Sequence, residues 1–167
     1  MHRVYLGLGS NMGNRRQNIE KAVALLGERV GEVLRQSSLI ETEPWGFKSE
    51  NRFLNGVILC ATVLSPREVL VETQQIEREL GRRKKKSPLQ LPQKGEREVL
   101  MSYSPLSTRR GVGGEAPNYQ DRPIDIDILL YDDLNIDEPD LKIPHPLMHE
   151  RDFVMIPLRE IQSPDSP

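Results

Sequence analysis

The chain has 167 residues, 37% of them hydrophobic, and 23 Lys+Arg against 25 Asp+Glu leave a formal net charge of −2. That length predicts one domain, and the balance of charge excludes a nucleic-acid coat or a polybasic membrane binder as the account of the whole chain. The lone Cys60 excludes a disulfide framework or a cysteine-built zinc site, no apolar run approaches the roughly 18 residues of a membrane span, and the strand-like N-terminus is not a signal peptide, so a cytoplasmic domain is expected.

The first element is a buried strand from Val4 to Leu8, ended by Gly9-Ser10-Asn11 as a tight strand-to-helix turn. The spacing of Gly7, Gly9 and Gly13 fits neither a dinucleotide turn nor a P-loop. Ile19, Ala22, Val23, Leu26 and Val30 lie on one face of a helix over 15–30. A second strand is read over Glu32 to Glu41, then a loop around Pro44-Trp45-Gly46, then a strand from Phe53 to Val63 that is apolar on both faces in its second half. Ser65, Pro66 and Glu68 form a capping box with proline at the first helical position. The helix they start carries Val69, Leu70, Thr73, Ile76 and Leu80 as its inner stripe and stops at Gly81. A final strand, Ile124 to Tyr131, completes the βαββαβ order of a ferredoxin-like α+β sandwich, a largely antiparallel sheet with helices packed on it. A short helix is expected around Phe153 to Ile161. The domain is read as 1–162, with 82–121 a long mobile loop or insertion and 163–167 a frayed tail.

The sharpest chemical signal is Ile124-Asp125-Ile126-Asp127-Ile128. Alternate residues of a strand share a face, so Asp125 and Asp127 point the same way with alpha carbons about 6.5–7 Å apart. Ile124, Ile126, Ile128 and Leu130 take the core face, and Leu129 and Tyr131 extend the aspartate face. Aspartate is disfavoured in strands, and two inside an isoleucine run point to a hard cation rather than to a solvated edge. Mg2+ binds through one or two carboxylates plus substrate phosphates, and two such ions clamp the attacking and leaving oxygens of a displacement. Arg122, the basic run Arg82 to Lys86, His145 and Arg151 supply positive charge for a polyphosphate. By itself the basic run reads as a solvated face or a weak nucleic-acid patch; leading a long loop opposite an acidic strand, it reads as a lid. Phe53 shares a strand face with Asn55, so one aromatic wall and one amide can meet a planar heterocycle.

The chain resembles the 6-hydroxymethyl-7,8-dihydropterin pyrophosphokinase family of folate synthesis. The resemblance rests on Gly7-Leu8-Gly9-Ser10-Asn11, Thr42-Glu43-Pro44-Trp45-Gly46 leading to Phe53-Leu54-Asn55, Gln74-Gln75-Ile76-Glu77, Gly81-Arg82, Arg122-Pro123-Ile124-Asp125-Ile126-Asp127-Ile128-Leu129, Ile143-Pro144-His145-Pro146 and Arg151-Asp152-Phe153. It implies transfer of pyrophosphate from ATP to the hydroxymethyl group of a reduced pterin, with release of AMP. It implies two Mg2+ bridged by Asp125 and Asp127, with Arg82, Lys84, Arg122, His145 and Arg151 neutralising the triphosphate. It implies a pterin stacked between Phe53 and Phe153, with its edge read by Asn55 and by the chain near Thr42 and Trp45, and Tyr119 in place of a capping tryptophan. It implies an adenosine pocket from Leu70, Gln74, Glu77, Ile128, Lys142 and Ile143. The expected partners are these small molecules alone, with no nucleic acid and no membrane, and the expected state is a monomer. A ferredoxin-like RNA-binding module and a different Mg2+-dependent nucleotidyltransferase are the alternatives.

Overall fold

In a computed structural model, which describes residues 1–43, 51–81 and 122–162, strand β1 (His2–Ser10) is the hub of the sheet. One edge pairs antiparallel with β4 (Phe53–Thr62), from His2 opposite Thr62 to Ser10 opposite Leu54. The other edge pairs antiparallel with β5 (Asp125–Tyr131). Beyond β4 lie β2 (Gly31–Gln36) and β3 (Ile40–Thr42), which pair with successive stretches of it. The resulting order, β2-β4-β1-β5, with α1 (Arg15–Arg29) and α2 (Pro66–Glu79) as crossovers, is that of a ferredoxin-like α+β sandwich.

The two crossover helices form where their caps place them. Asn14 accepts from the Gln17 N–H at 3.1 Å to start α1. Ser65 and Glu68 close their capping box reciprocally at the start of α2. Both helices lie on one face of the sheet. There Ile19, Ala22, Leu26, Val69 and Ile76 bury against Val4, Leu6, Leu8, Ile58, Cys60, Ile126 and Ile128. The opposite face is covered only in part. The C-terminal helix α3 (Asp152–Gln162) and Met148 pack there on Val57, Leu59 and Leu129 through Val154, Leu158 and Ile161. Arg35 of β2 donates to the Ile161 carbonyl at 2.8 Å, and Ser38 donates to Glu160 from its N–H and its hydroxyl, so α3 is tied down at its far end. Among the described residues this cover does not reach the end of the face that carries Phe53, Asn55, Asp125 and Asp127.

Three expectations are corrected. The strand read over 32–41 is two strands, because Ser37 interrupts the ladder: its hydroxyl, rather than a backbone carbonyl, accepts the Val57 N–H at 2.9 Å. β1 does not stop at Leu8 but runs through Ser10, so Gly9 and Ser10 are strand residues and not a turn. The register of β5 on β1 shifts between Tyr5 and Leu6, and this bulge swaps the faces of its last two residues. Leu130 packs on the α3 side, and Tyr131 turns to the helix side, where its hydroxyl donates to the Leu64 carbonyl at 2.5 Å. A hairpin unforeseen from pattern alone, β6 (Ile136–Glu138) with β7 (Leu141–Ile143), follows β5. The expected long loop over 82–121 and the expected frayed tail lie outside the described residues.

Cys60 is fully buried in the helix-side core, and burial pushes its thiol up to about 12. The folded protein is therefore expected to resist thiol reagents at pH 8, with labelling appearing only as denaturant unfolds it. Stoichiometric labelling under native conditions contradicts this packing.

Candidate functional site

At this end of the face β1 carries glycine, so it places no side chain between the residues of its neighbours. Gly9 sits between Asn55 on β4 and Asp125 on β5, and Gly7 between Val57 and Asp127. A Cβ at residue 9 would stand 2.9 Å from Asn55 Oδ1 and 3.6 Å from the Phe53 ring. At residue 7 it would meet the Leu129 side chain at 3.4 Å. Glycine inside a strand marks close approach by another group. The signal was present in the sequence as a period of two, Gly7 and Gly9 alternating with Leu6 and Leu8, and it was missed because glycine next to Ser-Asn reads as a turn.

On this floor Asp125 and Asp127 share a face, as their spacing predicts, and both are partly exposed. Arg122 Nη1 stands 3.8 Å from Asp125 Oδ1. The guanidinium lies 5.7 Å from the centre of the Phe53 ring, where a cation is attracted by the π face. Arg122 is held by its backbone. Its N–H donates to Asn11 Oδ1 at 2.7 Å, and its carbonyl accepts the Asn11 N–H at 3.1 Å. Asn11 is buried, and sequence reasoning did not single it out as a site residue.

A second arginine repeats the pattern. Arg151, 6% exposed, lies 5.7 Å from the Phe153 ring at the start of α3. His145 is anchored beside β5 by its N–H to the Leu129 carbonyl at 3.0 Å. Burial, and then the charge of Arg151, hold its imidazole below the usual range, while Asp125 pulls the other way. Its Nδ1 accepts from the Leu147 N–H at 3.3 Å, which leaves the proton of the neutral ring on Nε2.

To one side of the carboxylates, Asn55 Nδ2 donates to Thr42 Oγ1 at 2.6 Å, and Thr42 faces Phe53 across the β3–β4 ladder. The amide nitrogen is thus engaged, and Oδ1 points over Gly9 as an acceptor. To the other side opens a cleft of about 260 Å³. Its wall joins Leu70, Ile128, Lys142 and His145, all expected, to Asp127, with the turn from Pro139 to Leu141 and Pro146 added. Gln74, Glu77, Ile143 and Arg151 are not in that wall: Ile143 belongs to the helix-side core, and Glu77 is buried on α2. Trp45, Arg82, Lys84 and Tyr119 lie outside the described residues.

Among the described residues no three His, Cys, Asp or Glu side chains converge as a closed metal cage. Two same-face carboxylates fit a hard cation that completes its shell from phosphates and water, which is the habit of Mg2+.

The family described as 7,8-dihydro-6-hydroxymethylpterin-pyrophosphokinase matches residues 5–99 and 106–163. The chain belongs to this family. A 2-amino-4-hydroxy-6-hydroxymethyldihydropteridine pyrophosphokinase of Porphyromonas gingivalis is 42% identical over 159 residues, 95% of this chain and 89% of that one. One from Bacillus subtilis is 38% identical over 158 residues, 94% of this chain and 76% of that one. Among solved structures, an HPPK-DHPS in complex with substrates shares the fold, with a TM-score of 0.60 at 13% identity over 96% of this chain and 40% of that chain. This pyrophosphokinase is thus a diphosphokinase of folate biosynthesis, as its sequence resemblance implied, and the RNA-binding and nucleotidyltransferase alternatives fall away. No helix among the described residues is long and apolar enough to cross a membrane.

Replacing Gly9 by alanine pushes a methyl group into Asn55. Turnover is expected to fall by about ten-fold or more, while melting shows a cost of about 1–3 kcal/mol. Turnover unchanged beside a folded variant contradicts a site on this floor.

Proposed function

We propose that this pyrophosphokinase works through two Mg2+ held by Asp125 and Asp127, with the reduced pterin on the Asn55 side of the carboxylates and ATP on the Asp127 side. The supporting observation is the position of the carboxylate pair between two unlike surfaces. One is Gly9, which carries no side chain, beside an amide acceptor and an aromatic ring; the other is a cleft that Asp127 itself lines. In this reading the hydroxymethyl oxygen attacks the β-phosphorus of ATP, the bond from that phosphorus to the α-phosphate oxygen breaks, and AMP leaves. The hydroxyl proton passes to solvent. The cations supply positive charge for the transferring group and lower the pKa of the attacking hydroxyl.

The protein's own part is positioning and charge neutralisation. Arg122, oriented by Asn11, and Arg151 bring fixed guanidinium forks to the phosphates. His145, whose Nδ1 accepts from the Leu147 N–H, donates from Nε2 to the phosphates. Asn55 Oδ1 accepts from the donor edge of the pterin, Phe53 and Phe153 stack on it, and Thr42 orients the amide. Leu70, Ile128 and Lys142, which line the cleft, hold the adenosine. Arg82, Lys84, Trp45 and Tyr119 join from the segments that flank the site in sequence. The reading further takes 1–162 as one catalytic domain acting as a cytoplasmic monomer, with 82–121 as a long loop or insertion in it.

Asp125→Asn and Asp127→Asn, each measured by pterin-dependent AMP release at saturating ATP and Mg2+, are expected to lose at least about a thousand-fold in turnover. Their melting temperatures should stay within a few degrees of the parent, because both side chains reach solvent. Near-parental turnover in either variant overturns the metal assignment.

A further inference from the structure

Arg15, the first residue of α1, takes no part in the site described above, yet its side chain ties together both ends of the chain that brackets the Thr42–Asn55 pair. Its Nη2 donates to Glu41 Oε2 at 2.7 Å, and its Nη1 donates to the carbonyl of Arg52 at 2.9 Å. Arg52 Nη1 in turn donates to Glu41 Oε1 at 3.1 Å, and its Nε stands 3.1 Å from Glu43 Oε1. Glu41 precedes Thr42 at the end of β3, and Arg52 precedes Phe53 at the start of β4. Thr42 and Phe53 are direct partners across the ladder. The bonds therefore fall one residue from each member of the pair that orients Asn55. Asn11, which holds Arg122, and Arg15 also line one cavity of about 410 Å³ with Glu41 and Arg52.

Two features separate this cluster from an ordinary surface ion pair. Arg15 is only 32% exposed, and it spends two donors of one planar fork on two different segments. The charge of Arg15, acting foremost through its hydrogen bond, holds the Glu41 carboxyl below the usual carboxylate range. Partly exposed pairs add little to overall stability, so what the cluster governs is where β3 and the start of β4 stand.

We propose that Arg15 is a positioning residue for the pterin side of the site, acting through Glu41 and Arg52 to set the Thr42–Phe53 register that aims Asn55. The proposal rests on the reading of Thr42, Phe53 and Asn55 as the pterin pocket. It explains why a charged fork at the start of a helix on one face of the sheet matters to a ligand bound on the other: Glu41 and Thr42, being adjacent in a strand, face opposite ways.

The test is steady-state kinetics on the whole protein with Arg15→Ala, Arg15→Lys and, as a control on the pocket, Asn55→Ala. Arg15→Ala is expected to raise KM for the pterin about ten-fold while KM for ATP moves less than about two-fold. The melting temperature should fall by only a few degrees. Arg15→Lys, which keeps the charge but fills one acceptor at a time, should lie between parent and alanine. An unchanged pterin KM in Arg15→Ala, with Asn55→Ala strongly impaired, overturns the clamp and spares the pocket. Equal rises in both KM values with a large drop in melting temperature reduce Arg15 to a structural residue and also overturn it. An unchanged pterin KM in Asn55→Ala overturns the pocket reading and the clamp with it.

Discussion

Two carboxylates one residue apart on the same strand face repel each other, by about 2 kcal/mol at 7 Å with an effective dielectric constant of 20. The geometry of this protein is arranged around that repulsion. Asp125 and Asp127 stay in place because β5 is paired along β1 and its isoleucines are sealed under α1 and α2 on the other face. The local charge is offset by Arg122 at 3.8 Å and by Arg151 across the site, each with an aromatic ring beneath it. In the proposed reading, cations and substrate phosphates take their places within this set of charges.

The sheet serves the site by covering its two faces unequally. The helix side is closed by two crossovers and carries most of the core. Among the described residues the other side is closed by α3 only as far as Leu129 and Val57, and the proposed reaction floor lies beyond them. Binding groups come from structure that must be there for other reasons. Asn11 closes the β1 turn and fixes Arg122, His145 hangs from the Leu129 carbonyl, and Phe153 begins the helix that seals the second core.

Much of this was legible in advance. The capping box at Ser65 and Glu68, the apolar stripe of α1 and the Asp-x-Asp run each depend on residues close in sequence, and each forms as read. What failed depends on a partner strand. The break at Ser37 exists because its hydroxyl meets the Val57 N–H, and the bulge that turns Tyr131 to the helices exists because Tyr5 and Leu6 change register on β5. Gly9 was read as a turn because its reason, the nearness of Asn55 and Phe53, lies more than forty residues away.

The sequence by itself determined the ferredoxin-like order of elements, the family and the pair of acidic groups, since periodicity, caps and short motifs are local properties of the chain. Only the tertiary structure decided that β1 lays Gly9 between Asn55 and Asp125, and that Asn11 holds the backbone of Arg122. It alone brought Leu70, Asp127, Lys142 and His145 around one cleft. Those relations are set by strand register and by which face a residue takes, and a single bulge or a single side-chain hydrogen bond changes both without altering the pattern from which they would be read.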